Sequence, residues 1–414
     1  TVYSDCSGLV LVLVLVLVAV VSNHAYAAND INLRTDTVDK TDTVDKTDSA
    51  DKTDAAVKAD PIKTTPKHAP HQHDLEEVLV TASGFRHRRD VSEATTVLSG
   101  DALSAAGAAS LGETLQKTPG LSSASFGPGV GSPVIRGQSG NRVKVLNNST
   151  GSADASTISP DHATAVEPLL AEKIEVIRGP ATLLYGNGAI GGVVNVIDNR
   201  IPSQRTDETS GAIEQRHDSN SDQDTTVAKL DTGKDSWAMH IDGVYRDRND
   251  VRIDGTAIAD PAPGDRVIKG YIPNTGALTK SGSIGSSWIS RDTYAGVAVS
   301  RIESRYGIPQ GAPEDGVPAE KISIDMKQTR LDAKSGWQID GSFWKDAQAQ
   351  IAFSNYEHVE IADGVPGTKF TNDAAEVRLQ SAHKLNAWSG IVGFQGSQRD
   401  FAAVGEEAFV PKTD

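Results

Sequence analysis

Ile174 to Asp198 constrains this chain more than any other stretch. It reads Ile-Glu-Val-Ile-Arg-Gly-Pro, then Ala-Thr-Leu-Leu-Tyr-Gly-Asn-Gly, then Ala-Ile-Gly-Gly-Val-Val-Asn-Val-Ile-Asp. Two β-branched runs, Ile174 to Ile177 and Val193 to Ile197, flank glycines at 179, 186, 188, 191 and 192. Such glycines permit sharp reversals and close backbone packing, so the prediction is a turn-rich sheet element. Gly186, Gly188 and Gly191 also have the dinucleotide-binding spacing, but that motif needs a strand before it and a helix after it. Here the glycines lead into a strand-forming run, Val193 to Ile197, and the chain then turns at Asn199 to Pro202. No nucleotide site is predicted.

The same stretch resembles the end of the plug domain of TonB-dependent outer-membrane receptors. That family carries a glutamate-containing strand, Arg-Gly-Pro, an aromatic-Gly turn and Gly-Gly-x-x-Asn, matched here by Arg178, Gly179, Pro180, Gly191, Gly192 and Asn195. The resemblance implies an α+β plug domain followed by an antiparallel transmembrane β-barrel, in the cell outer membrane of a Gram-negative cell. It also implies a monomer whose partners are the TonB energy-coupling complex, a metal ion or metal chelate, and outer-membrane lipid.

The rest of the chain agrees with that arrangement. Leu9 to Val21 is an apolar run of thirteen residues, shorter than the roughly 18 that span a bilayer as a helix. Ala25-Tyr26-Ala27 follows it, so residues 1–27 read as a signal peptide; with no initiating Met and no basic n-region, the true start is expected to lie upstream. Residues 28–73 read as a disordered linker, because Thr-Asp-Thr-Val-Asp-Lys and its variants repeat from Thr35 to Lys58 with too little apolar surface to offset ordering entropy. His68, His71 and His73 close this linker; they are either linker composition or a weak, flexible metal-capture site.

Residues 74–82 turn abruptly apolar. Leu75, Glu76, Glu77, Val78, Leu79, Val80 and Thr81 form a short strand-former after a tether, which suits addition to a partner's sheet edge. This segment resembles the TonB box, facing the periplasm with the plug; the simpler reading is a first plug strand. Within the plug, residues 83–202, a strand at Thr95 to Leu98 and a helix with apolar positions Ala102, Leu103, Ala106, Leu111 and Leu115 are predicted, broken at Gly107 and stopped by Thr118-Pro119-Gly120. Pro133 to Gly137 and Arg142 to Leu146 resemble the family's central strands. Arg136, with Gly137 beside it, Arg142 and Arg178 are read as structural cations that pair with wall carboxylates.

Asn147 to His162 is polar and reads as an exposed loop ending in Ser159-Pro160-Asp161-His162-Ala163. On their own, Asp161 and His162 are either solvated loop residues or a metal-ligand pair held by the bend at Pro160. Together with Ser132 to Gln138 and Lys144 to Asn147, this motif resembles the zinc-receptor branch of the family, in which the Asp-His pair helps bind the ion. The resemblance makes Asp161 and His162 candidate ligands and zinc the transported species. That branch often has a His-rich extracellular insertion, whereas Gly307 to Glu320 has no His, which leaves a ferric siderophore or haem as the alternative cargo. No resident cofactor is implied.

After Pro202 the texture becomes period-two alternation, the signature of outer-membrane strands. Trp237, Met239, Ile241 and Tyr245 fall on one face, suited to lipid; Ala238, His240, Asp242, Val244 and Arg246 fall on the other, suited to a wet lumen. Nine such segments can be placed between Gly211 and Phe401, with Asn249 to Thr279 and Glu303 to Glu320 as extracellular loops. Plugged transporters use about 22 strands, so residues 203–414 are expected to form a truncated, N-terminal part of the barrel. Glu357, His358 and His383 lie in or beside wall segments and are either ordinary strand residues or lumen ligands.

Several classes are excluded or weakened. A net charge of −15 argues against a nucleic-acid partner. Cys6 is the sole cysteine, so neither an intramolecular disulfide nor a cysteine-rich metal site can form. No nucleophile elbow, His-Glu-x-x-His or P-loop is present, and an enzyme is not predicted. A passive porin or adhesin would need neither coupling segment nor plug, and a soluble periplasmic binding module would need no alternating wall.

Overall fold

The computed structural model describes residues 79–80, 86–87, 95–258, 267–311, 317, 319–386 and 388–405. The signal peptide, the repeat linker, His68, His71, His73 and most of the coupling segment, Leu75 to Val78 and Thr81, lie outside them. Of that segment, β1 (Leu79–Val80) pairs antiparallel with β2 (Arg86–His87).

The plug follows. β3 (Thr95–Ser99) leads into α1 (Gly100–Ala106), and α2 (Leu111–Leu115) follows after a break. The expected helix is therefore two short ones, parted at Gly107, where an added Cβ would stand 2.7 Å from Leu169 Cδ2. The Ser110 hydroxyl accepts from Glu113 N and caps α2. β4 (Leu121–Ser125) and β5 (Gly131–Ile135) form a hairpin. β6 (Val143–Asn147), β7 (Thr150–Gly151), β8 (Lys173–Ile177) and β9 (Gly192–Ile197) join β3 in a sheet of order β3-β8-β9-β6-β7, parallel only between β6 and β9. β8 and β9 are its centre, which is why their β-branched residues are buried on both faces. Leu111, Leu115, Ile135, Ile174, Val194 and Val196 belong to one apolar core beneath this sheet.

The glycine signature has a geometric cause. Gly179 and Gly186 bracket the 3-10 run Pro180–Tyr185 with φ of 79° and 73°, a region open to glycine at little cost. Gly191 and Gly192 sit where the β5–β6 connection crosses: an added Cβ would meet Gln138 Cβ at 2.6 Å and Ile135 Cδ1 at 2.6 Å respectively. The glycines precede a strand, so the element is no dinucleotide fold.

Beyond Pro202 stands one antiparallel sheet of nine strands. They are β10 (Ser210–Asp218), β11 (Gln223–Lys234), β12 (Trp237–Arg248), β15 (Ala277–Ile289), β16 (Thr293–Gly307), β17 (Ile322–Gln338), β18 (Trp344–Ala362), β19 (Val365–Leu385) and β20 (Trp388–Val404). A small hairpin, β13 (Arg252–Thr256) and β14 (Lys269–Tyr271), interrupts the β12–β15 connection. All nine predicted segments are strands, and the plug precedes them as expected. β16 runs on to Gly307, so Glu303 to Gly307 are strand rather than loop.

The alternation is realised on β12: Trp237, Met239, Ile241 and Tyr245 are exposed while Ala238, His240, Asp242, Val244 and Arg246 are buried. The inward face packs in part on the plug: Val244 of β12 and Val227 of β11 meet Leu170, and Ile302, Tyr306, Ile324, Met326 and Tyr356 of the wall cluster with Val130, Ala155 and Ala165. Among the described residues, no helix is long and apolar enough to cross a membrane, which says nothing of crossing by strands.

Candidate metal centre

The sequence pattern of Asn147 to His162 predicts an exposed loop, yet half of its sixteen residues are buried and only Thr157, Ile158 and Pro160 are exposed. A segment with little ladder pairing can be buried only if something else satisfies its carbonyls. The wall does so. Gln328 donates to the carbonyls of Ser152 at 2.8 Å and Ala153 at 3.1 Å, Arg330 to that of Gly151 at 2.7 Å, and Asn372 to that of Asp154 at 3.0 Å. Glu376 accepts from Gly151 N at 2.9 Å. Asp154 ties the two ends of the loop, accepting from Ser156 N and from Ala165 N, each at 3.0 Å.

This anchored loop delivers His162 to the wall. The residue is 2% exposed, and its Nε2 stands 3.1 Å from Glu360 Oε1 on β18. Its Nδ1 stands 3.1 Å from the Ala155 carbonyl oxygen, which can only accept, so Nδ1 carries the hydrogen. His358, two residues before Glu360 on the same face of β18, is 0% exposed. The two imidazole centroids are 4.4 Å apart, and the Phe370 ring lies stacked on His358 at 4.5 Å and edgewise to His162 at 5.0 Å.

His162, His358 and Glu360 each offer one ligand atom, all within 4.8 Å of one another. Two imidazoles and a carboxylate form the donor set of a three-ligand zinc site. Bonds of about 2.0–2.2 Å would set such donors roughly 3.4 Å apart, an adjustment within reach of the side chains. The electrostatics point the same way. With Nδ1 committed to Ala155, a neutral His162 would turn a lone pair on the Glu360 carboxylate, so a positive charge belongs between them, a proton or a metal ion. Burial disfavours the imidazolium of His162, but the Glu360 hydrogen bond, the charge of Asp161 and the Ala155 carbonyl outweigh it and raise its proton affinity above the usual imidazole value.

The other sequence candidates fall elsewhere. Asp161 is adjacent to the trio but not part of it: its carboxylate accepts from the Ser159 hydroxyl and its carbonyl from Tyr306 Oη at 3.1 Å. Glu357 points to the opposite face of β18 and pairs with Lys369 Nζ at 2.6 Å. His383 packs with Phe343 and Trp344 at the other end of β19. Within the plug, Arg142 donates to Gln138 at 3.0 Å and Arg178 to Thr96. Arg136 takes φ of 50° at the turn before Gly137. Asn195 Oδ1 accepts from Ser149 N at 2.8 Å and so holds the turn after β6. Plug–wall ion pairs run in both senses, though not at the three expected arginines: Arg246 of the wall donates to Glu167 of the plug at 2.8 Å, and Arg200 at the end of the plug donates to Asp332 of the wall at 3.3 Å.

Comparison with known proteins bears on the fold. Residues 87–193 match the family described as TonB-dependent Receptor Plug Domain. The chain is 34% identical over 134 residues to a hemin receptor of Yersinia pestis, covering 32% of this chain and 19% of that one. It is 26% identical over 317 residues to the vitamin B12 transporter BtuB of Photobacterium profundum, covering 74% and 47%. Among solved structures, the hemophore receptor HasR of Serratia marcescens superposes with a TM-score of 0.61 at 13% identity, covering 77% of this chain and 46% of HasR. The copper transporter OprC superposes at 0.58 and 16% identity, covering 72% and 44%. At that identity the structures speak to fold alone. The chain spans less than half the length of each of these relatives.

Proposed function

We propose that this chain, a member of the TonB-dependent receptor family, forms the plug and part of the wall of an outer-membrane importer for a divalent transition-metal cation, with zinc the first candidate. One observation carries the reading: His162 of the plug meets His358 and Glu360 of the wall in a buried, imidazole-rich set. Such a set suits zinc and its first-row neighbours rather than hard cations. Asp161 contributes its charge from one residue away.

The division of ligands between two bodies supplies a release step. If the TonB partner pulls on Leu75 to Thr81 and shifts the plug, His162 leaves His358 and Glu360, and a three-ligand site becomes a weaker two-ligand one. Mechanical work then biases two states of different affinity. The plug and coupling segment would face the periplasm.

Hemin and hemophore receptors among the relatives raise the haem or ferric-chelate alternative. Two imidazoles with centroids 4.4 Å apart and Phe370 against both leave no room for a macrocycle between them, which favours a bare ion. Calorimetric titration of the chain in detergent micelles with zinc tests this. His162→Ala, His358→Ala and the Asp161→Ala, His162→Ala double variant should each weaken binding at least tenfold, about 1.4 kcal/mol. Equal binding by wild type and His358→Ala, or no binding by either, would sink the metal reading.

A further inference from the structure

A neutral imidazole offers a lone pair from one nitrogen only, and the bond made by the other nitrogen decides which. In His162 the Ala155 carbonyl makes that decision. In His358 the partner is a tyrosine: Tyr356 Oη lies 2.9 Å from His358 Nδ1. His358 Nε2, by contrast, is buried with no hydrogen-bond partner. An orphan N–H there would be a stranded donor beside another imidazole; an orphan lone pair is a ligand waiting for a cation. The second state requires Nδ1–H to donate to the Tyr356 hydroxyl.

A second wall tyrosine acts on the other imidazole through its backbone. Tyr306 Oη accepts from Ala163 N at 2.9 Å and donates to the Asp161 carbonyl at 3.1 Å. It therefore clamps the peptide groups on both sides of His162. Tyr306 and Tyr356 are both fully buried and share one apolar cluster with Ala155.

We propose that Tyr356 and Tyr306 are the positioning residues of the metal centre, Tyr356 setting the tautomer that turns His358 Nε2 toward the ion and Tyr306 fixing the loop that presents His162. The proposal rests on the metal reading of the His162, His358 and Glu360 trio. Neither tyrosine is a ligand; each acts through a ligand, as outer-shell partners of metal sites do.

Phenylalanine keeps each ring in the core and removes only the hydroxyl. The test is zinc titration of the chain in detergent micelles, with cobalt absorption as a geometric readout, for wild type, Tyr356→Phe, Tyr306→Phe, His358→Ala and Tyr185→Phe. Tyr185 is a buried plug tyrosine in a different core cluster and controls for loss of a buried hydroxyl. Tyr356→Phe and Tyr306→Phe should lose about 10- to 100-fold in zinc affinity and change the visible cobalt band, while Tyr185→Phe keeps both. Wild-type affinity and an unchanged cobalt band in both Phe variants, with His358→Ala impaired, would overturn the positioning roles and leave the metal centre standing. Wild type and His358→Ala binding alike would overturn the centre and the positioning with it. Should one Phe variant fail to fold, the other carries the test alone.

Discussion

Glu167→Ala should loosen the plug from the wall by several kcal/mol. Arg246 grips Glu167 with both arms of its guanidinium, at 2.8 and 3.2 Å, and the two side chains are only 5% and 4% exposed. Removing one partner of a buried pair costs about 3–5 kcal/mol, because the other charge is left uncompensated. Here Arg246 would keep only the Ala109 carbonyl at 3.3 Å. Glu167 also accepts from Leu169 N at 3.1 Å and caps the turn Pro168–Leu170, worth a further ~0.5–2 kcal/mol. Glu167→Gln separates the two effects, since the amide oxygen can still cap while the charge is gone. Arg246→Met combined with Glu167→Gln leaves no buried ion and should recover most of the loss. Amide hydrogen exchange of the plug reads the opening free energy directly. If Glu167→Ala speeds plug exchange by less than about fivefold, under about 1 kcal/mol, the seam is solvated and the burial argument fails.

Two further outcomes follow from the junction of plug and wall. Burial pushes the Asp198 carboxyl up, but Arg200 and Asn148 outweigh it and hold it below the ordinary 3.8. Its contribution to stability is therefore full above pH 3.8 and lost as pH falls through the lower native value; Asp198→Asn should destabilise the fold at pH 7, with the gap to wild type closing only under stronger acid than pH 3.8 in parallel denaturation series. An added Cβ at Gly285 would stand 1.9 Å from the Arg200 carbonyl and 2.7 Å from Ala298 Cβ, whereas at Gly243 it meets nothing nearer than 3.6 Å. Gly285→Ala should cost about 1–3 kcal/mol by overpacking and Gly243→Ala little, as judged by urea unfolding in micelles; equal tolerance would mean that the linking segment does not cross the wall there.

Period and turn chemistry made the scaffold legible. Strand alternation is local, so all nine wall segments can be placed from sequence, and the Gly191-Gly192 pair marks a close approach of backbone that Gln138 and Ile135 fill. The loop from Asn147 to His162 departs from its sequence pattern for a physical reason. Its side chains are polar, and polarity usually means water; here the water is replaced by Gln328, Arg330, Asn372 and Glu376, which lie far along the chain. The plug arginines raised the converse difficulty, since the charge that reaches across the seam at Glu167 belongs to the wall.

The candidate metal centre is half legible in the sequence, and the missing half follows from strand phase. His162 stood out beside Asp161, but its partners are almost 200 residues away, beyond any local pattern. Within Tyr356-Glu357-His358-Val359-Glu360 the neighbouring pair Glu357 and His358 drew attention, although residues one apart on a strand face opposite ways. Period two joins Tyr356, His358 and Glu360 on one face and sends Glu357 to the other, where it meets Lys369. The same face carries hydroxyl, imidazole and carboxylate in succession, so one strand supplies the proposed positioning group and two candidate ligands in a fixed order. A one-residue slip of β18 would exchange that set for Glu357 and Val359. The register that builds the wall is thus also what builds the wall's half of the site.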